Sequence, residues 1–203
     1  MKLSKTTGVF FLLVLSFTCI ATSSKAQAGW EVDFVRNANP ANPNNFVFKS
    51  LSSTDYVLSA GIPLGIFAVS YFQHKTEGEI NGVEMLAGLG ITTVATELLK
   101  SVVKRPRPYI TYTGIYPDAI DNGYSFPSAH TSIAFSTATS LALIYHKWYI
   151  TVPAYVWATG VGYSRIYLGQ HYPSDVLAGA VTGAASAYAS HWLNKKFFFR
   201  KKK

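Results

Sequence analysis

From residue 56 onward the chain alternates long apolar stretches with short polar connectors. The stretches cover residues 56–72, 80–99, 131–145, 148–163 and 176–193, each 15 to 20 residues long, nearly free of charge and rich in Gly, Ala, Ser and Thr. Helices that cross a bilayer need roughly 20 apolar residues, and small side chains let them approach closely where lipid supplies no hydrophobic drive. The pattern predicts an all-α helical bundle, integral to a membrane, with about five spans after removal of a signal peptide. The competing reading is a soluble helical globule whose helices are apolar all round because they are buried. The connectors favour the membrane: 73–79, His146-Lys147 and a basic C-terminal run would share one side, and 100–126 and 165–175 the other. A polybasic end holds its side in the cytoplasm, which puts the larger loops outside.

The residues before 56 have a different character. Lys2 and Lys5 precede an apolar run at 8–20, and Ala26-Gln27-Ala28 follows it. A positive start, a short apolar run and an Ala-x-Ala exit read as a signal peptide over 1–28; a retained first membrane helix is the alternative. Residues 29–55 are polar, with Asn and Pro concentrated at 37–45, and read as an irregular or surface-lying segment. Residues 56–193 form the helical domain, and 194–203 a basic cytoplasmic tail.

Composition removes several function classes. Of 203 residues, 49% are hydrophobic and 14% charged, which excludes a disordered chain. The single cysteine, Cys19, excludes a disulfide scaffold or a cysteine-ligated zinc module, since both need pairs. The formal charge is +8, but much of the excess sits in the terminal run from Lys195 to Lys203. A nucleic-acid reader would spread basic and polar groups along a surface, so no nucleic-acid partner is expected.

Candidate chemistry gathers in the outer loops. Lys100, Lys104, Arg105 and Arg107 fall within eight residues, and Pro106 and Pro108 end the preceding helix; alone, this would be a solvated helix end or a headgroup contact. Ser125-Phe126-Pro127-Ser128-Ala129-His130 leads into an apolar stretch. Pro127 suits a first helical position and Ser125 a cap, placing Ser128, Ala129 and His130 at a helix N-terminus that attracts anions. His130 alone could equally be a structural hydrogen-bonder. His171 and Asp175 are four residues apart where the last stretch opens, a spacing that brings carboxylate and ring together on a helix and makes the other ring nitrogen a better nucleophile. Together these groups supply what phosphoryl transfer needs: cations and N–H groups for negative charge, a nucleophile and an acid. Nothing resembles a P-loop or a carboxylate metal cage, so a phosphatase without metal or other cofactor is expected.

Three spacings carry a family resemblance: Lys100 with Arg107-Pro108; Pro127, Ser128 and His130; and Ser164, Arg165, His171 and Asp175. They resemble the tripartite signature of the type 2 phosphatidic acid phosphatase family, which includes bacterial nonspecific acid phosphatases and shares its site with vanadium haloperoxidases. The resemblance implies that His171 attacks phosphorus to form a phosphohistidine while Asp175 holds its ring. It implies that His130 protonates the leaving oxygen and then activates water. Lys100, Arg107 and Arg165 would bind the phosphate oxygens, with the Ser128 hydroxyl and the Ala129 amide. Ala129 departs from the family's usual Gly: harmless if the backbone there is helical, unfavourable if its φ is positive. Lys104 and Arg105 occupy variable positions and are given only a headgroup role.

The expected substrates are envelope lipids, lipid A phosphate or undecaprenyl diphosphate first, then phosphatidylglycerol phosphate or phosphatidic acid. The site would face the periplasm from a bacterial inner membrane. A soluble periplasmic acid phosphatase and an inactive headgroup-binding or transport protein are the alternatives. Residues 109–124, with four tyrosines and two aspartates, either cap the site or form an unselective loop. Glu97 could pair with Lys100 one turn on. His74, His146 and His191 fall on the opposite side and are read as incidental.

Overall fold

The computed structural model describes residues 28–197. The signal peptide expected over 1–28 therefore lies, but for Ala28, outside the described residues, as do 198–203 of the basic tail. The described chain is all helical: α1 (Ala28–Ala38), α2 (Phe46–Phe72), α3 (Thr76–Val103), the single turn α4 (Pro108–Thr111), α5 (Ala129–Tyr145), α6 (Trp148–Tyr167) and α7 (Pro173–Phe197). Each of the five long helices contains one of the five apolar stretches. Their ends follow local rules. The Lys104 N–H closes α3 on Lys100 O with left-handed backbone, and His146 closes α5 on Ala142 O in the same way, so α5 and α6 meet across a tight turn.

Within residues 29–55 only 39–45 is irregular; the rest is helical. The Asn45 side chain accepts from Val47 N at 2.9 Å and starts α2 at Phe46, well before the apolar stretch. Asn is among the best residues at this position because it satisfies one orphan amide. Ahead of it, α1 buries Val32 and Val35 against Ile115, Ile166 and Tyr172, which pins the N-terminal residues beside the α6–α7 junction.

α5 lies at the centre of the bundle, and its buried positions are small and mostly polar: Thr131, Ser132, Ser136, Thr137, Thr139 and Ser140, with Ala134 and Ala138. Several hydroxyls return to their own helix, as Ser132 Oγ does to Ser128 O at 2.9 Å and Thr137 Oγ1 to Ile133 O at 3.1 Å. α7 lies directly on this surface. A Cβ at Gly183 would stand 2.0 Å from Ser132 O, and one at Gly179 would stand 2.7 Å from Ser128 O, so only glycine permits the approach. Large apolar side chains point outward instead, among them Val57, Leu64, Phe72, Val94, Leu98 and Val156. That is the reverse of a soluble globule. Phe46–Phe72 and Thr76–Thr111 are long and apolar enough by length and composition to cross a membrane.

Candidate active site

The end of α3, the start of α5 and the α6–α7 junction converge at one end of the bundle. Lys100 lies in the last turn of α3, buried, with Nζ donating to Tyr124 O at 2.7 Å. Beyond the helix the two prolines hold the chain extended and Arg107 turns inward until 2% of it is exposed. Its Nε donates to Gly123 O at 3.0 Å, and its Nη1 to Gln170 Oε1 at 3.0 Å and Gln170 O at 3.3 Å. The same Nη1 stands 3.4 Å from His171 Nε2.

His171 is fully buried in the loop before α7. Its Nδ1 lies 3.6 Å from Asp175 Oδ2 and 3.4 Å from Ser125 Oγ. Ser125 Oγ also donates to Asp175 Oδ2, which receives the Tyr172 amide at 2.9 Å. A proton on Nδ1, facing this carboxylate, leaves the Nε2 lone pair on the side of Arg107. Burial pushes the His171 pKa down from 6.5 to about 4, against the opposing pull of Asp175. The ring is therefore neutral at neutral pH, as a nitrogen nucleophile must be.

The start of α5 differs from the sequence expectation. Ser128, not Ser125, occupies the cap position and the helix begins at Ala129; Ser125 is unavailable because Asp175 has recruited its hydroxyl. Ser128 makes no side-chain cap bond to the helix. Its Oγ accepts from Thr131 Oγ1 at 2.9 Å, and its amide donates to Asp175 O at 3.0 Å. The first-turn amides of a helix have no partner within it, so those of α5 form a donor set beside the histidines. Ala129 opens the helix and is not among the residues with positive φ, so its methyl carries no backbone penalty. His130 follows it, ring edge toward Tyr56 with centroids 5.0 Å apart, within the electrostatic field of Arg165, His171 and Arg107. Arg165, near the end of α6, is buried; its Nη1 donates to Ser52 Oγ at 2.6 Å and its Nε has no partner.

Arg105 is not a headgroup contact. Its Nη1 donates to Asp175 Oδ1 at 2.8 Å and Ser174 Oγ at 2.7 Å, and its Nη2 to Glu31 Oε2 at 2.8 Å. The guanidinium also lies 3.8 Å over the Tyr172 ring. Glu31, from α1, takes the Ser174 amide at 3.0 Å. Arg105 thus ties α1 to the carboxylate that faces His171 Nδ1. Lys104 is exposed, and exposed Glu97 acts on Lys100 only through space.

Residues 112–124 fold over the site. Asn39 Nδ2 donates to Tyr116 O, and its Oδ1 accepts from Tyr116 N. Gln170 Nε2 reaches Asp118 Oδ1 and Ala119 O, both at 2.7 Å. Asp121 accepts from Arg107 Nη2. Burial opposes its ionisation, but the Gly123 amide and Arg107 together hold its carboxyl below the ordinary value. Sequence reasoning missed Glu31, Ser52 and Gln170, gave Arg105 only a headgroup role and Ser125 only a cap, and named Asp121 as part of the loop without its partner Arg107.

Comparison with known proteins identifies relatives of this chain. The sequence profile of the PAP2 superfamily matches residues 81–199. The chain is 33% identical over 78 residues to a lipid A 4'-phosphatase of Bacteroides thetaiotaomicron, covering 38% of this chain and 35% of that protein. It is 34% identical over 132 residues to the undecaprenyl-diphosphatase BcrC of Bacillus subtilis, covering 63% and 64%. The matches thus span between about a third and two thirds of those relatives' lengths. The fold is similar to a crystal structure of a transmembrane PAP2 type phosphatidylglycerolphosphate phosphatase from Bacillus subtilis, with a TM-score of 0.75, 25% identity, and coverage of 92% of this chain and 96% of that one. A transmembrane helical bundle, the three motifs at one end and the profile match lead to one assignment: this chain belongs to the PAP2 superfamily.

Proposed function

We propose that this chain is a membrane-embedded lipid phosphatase that works through a phosphohistidine and without a metal. The observation that carries the reading is the placing of His171, with Nδ1 toward a buried carboxylate and Nε2 toward Arg107. The Nε2 lone pair forms the N–P bond while the bond from phosphorus to the leaving oxygen breaks, and His130 hands that oxygen a proton. Water then attacks phosphorus, His130 takes its proton, and the P–N bond breaks to release phosphate. Lys100, Arg107, Arg165, the Ser128 hydroxyl and the Ala129 amide spread the transition-state charge.

Five spans, the catalytic end facing the periplasm and an envelope lipid as substrate complete the proposal. Lipid A phosphate and undecaprenyl diphosphate lead, on the strength of the substrates named for the relatives. Exposed Val102, Ile110, Ile120 and Tyr124 near the site support a substrate whose chains stay in lipid while its phosphate enters. The test is phosphate release by detergent-purified protein from a panel of envelope lipids in EDTA, with His171→Ala beside the wild type. Release in EDTA that disappears in the variant, together with a phosphoenzyme of the acid-labile, base-stable kind, is expected. Activity only after divalent metal is supplied refutes the mechanism.

A further inference from the structure

Asp55 is the one acidic residue of α2 and has no part in the chemistry proposed above. It is 0% exposed, and neither oxygen of its carboxylate has a hydrogen-bond partner. A buried carboxylate without donors is costly, and an acid kept inside a membrane helix usually serves function. What offsets the cost is charge: Arg165 acts on Asp55 through space, and Asp55 on Arg165.

The two come from elements that already touch. Ser52 lies one turn before Asp55 on the same face of α2, and its Oγ is the acceptor of Arg165 Nη1. Thr54 Oγ1 accepts from Trp157 Nε1 at 3.1 Å, which fixes α2 against α6, and the next residue, Tyr56, sets its ring on His130. Arg165 Nε is buried without an acceptor, so the guanidinium leans on one neutral hydroxyl. The residue keeps 7% of its surface exposed, and its charge reaches both His130 and His171. Asp118, in the loop over the site, also acts on it, although Asp118 Oδ1 is committed to Gln170 Nε2 at 2.7 Å. Arg165 is thus held between a carboxylate inside the bundle and one in the covering loop, and bonds neither. Without the inner charge, the guanidinium would be drawn toward Asp118 and the loop.

We propose that Asp55 is a positioning residue for phosphate binding: its carboxylate is the internal counter-charge that keeps the Arg165 guanidinium on Ser52 and beside the two histidines. The inference rests on the reading of Arg165 as a phosphate ligand. Calorimetric titration of inorganic phosphate into the detergent-purified full chain tests it, for wild type, Asp55→Asn, Arg165→Ala and the double variant. Asp55→Asn should weaken phosphate about tenfold, the worth of one charge-assisted hydrogen bond, and should add nothing further in the Arg165→Ala background. A residue that merely fills the bundle would cost the same in both backgrounds, and that result refutes the positioning role. Asp55→Leu, which leaves no polar group to bury, should weaken phosphate equally and keeps the test open if Asp55→Asn does not fold. Ser59→Ala, one turn further along the same helix, should leave the affinity unchanged. Phosphate bound by both Asp55 variants as tightly as by the wild type, or more tightly, overturns the proposal alone. Phosphate that fails to bind the wild type overturns the reading of Arg165, and the proposal with it.

Discussion

Replacing Arg105 with Met tests how the site is held together. The guanidinium pairs with Glu31 and Asp175, whose side chains are 4% and 0% exposed, while its own is 27% exposed. Methionine keeps much of the stem and removes both ion pairs. Breaking a buried pair by deleting one partner costs ~3–5 kcal/mol, because the abandoned charge stays buried. Here the Tyr172 amide and Ser125 still serve Asp175, and the Ser174 amide still serves Glu31, so the lower end, about 3 kcal/mol, applies. At ~2–4 °C per kcal/mol for a domain of this size, the melting midpoint should fall by ~6–12 °C. Catalysis should suffer separately: a His171 ring displaced by about an ångström loses on the order of 10²-fold in kcat. The assay is thermal unfolding in detergent with phosphate release on the same preparations, for Arg105→Met, Glu31→Gln and the double variant. Glu31→Gln removes the charge that Arg105→Met abandons, so the double variant should be more stable than the sum of the single losses by ~0.5–3 kcal/mol. Strict additivity, or wild-type kcat in Arg105→Met, would refute the reasoning.

Other expectations follow from the same geometry. Gly183→Ala places its methyl against Ser132 O and Ser136 N and should destabilise by ~1–3 kcal/mol or more in denaturant titrations; Gly90→Ala, with nothing within 4 Å, should gain up to ~1 kcal/mol from helix propensity. Asp121→Asn frees Arg107 from a competing anion, and since the Asp121 side chain is 47% exposed the gain is a screened ~1 kcal/mol, read as about fivefold stronger inhibition by inorganic phosphate; weaker inhibition contradicts the competition. His171 has a folded pKa of about 4 against 6.5, so protonation favours the unfolded chain. That contribution, about 3 kcal/mol, is intact above pH 6.5 and is lost as the pH falls toward 4. The wild type should therefore lose more stability over that interval than His171→Asn, and parallel curves would refute it.

The long helices were legible because an apolar stretch of that length has few other fates, and the candidate site because three local spacings each mark one of the walls that converge there. What escaped was set by partners distant in sequence. Arg105 lies 74 residues from Glu31 and 70 from Asp175, and nothing around a basic residue before proline says that it will be internal. Ser125 had a local role open to it as a cap, and a tertiary carboxylate outbid it. Glu84 and His191, the latter read as incidental, meet across 107 residues. The early start of α2 was hidden because Lys49, Ser50, Ser52 and Ser53 interrupt the hydropathy, although Asn45 carried the signal.

Two of the supports described above come from residues before the stretch shared with the superfamily profile: Glu31 on Arg105 and Ser52 on Arg165. The smallest excisable piece that can work is therefore longer than the piece that can be recognised. A fragment cut at residue 81 would carry every signature residue and still leave both arginines short of a neighbour, so grafting or truncation should keep the chain from α1 onward.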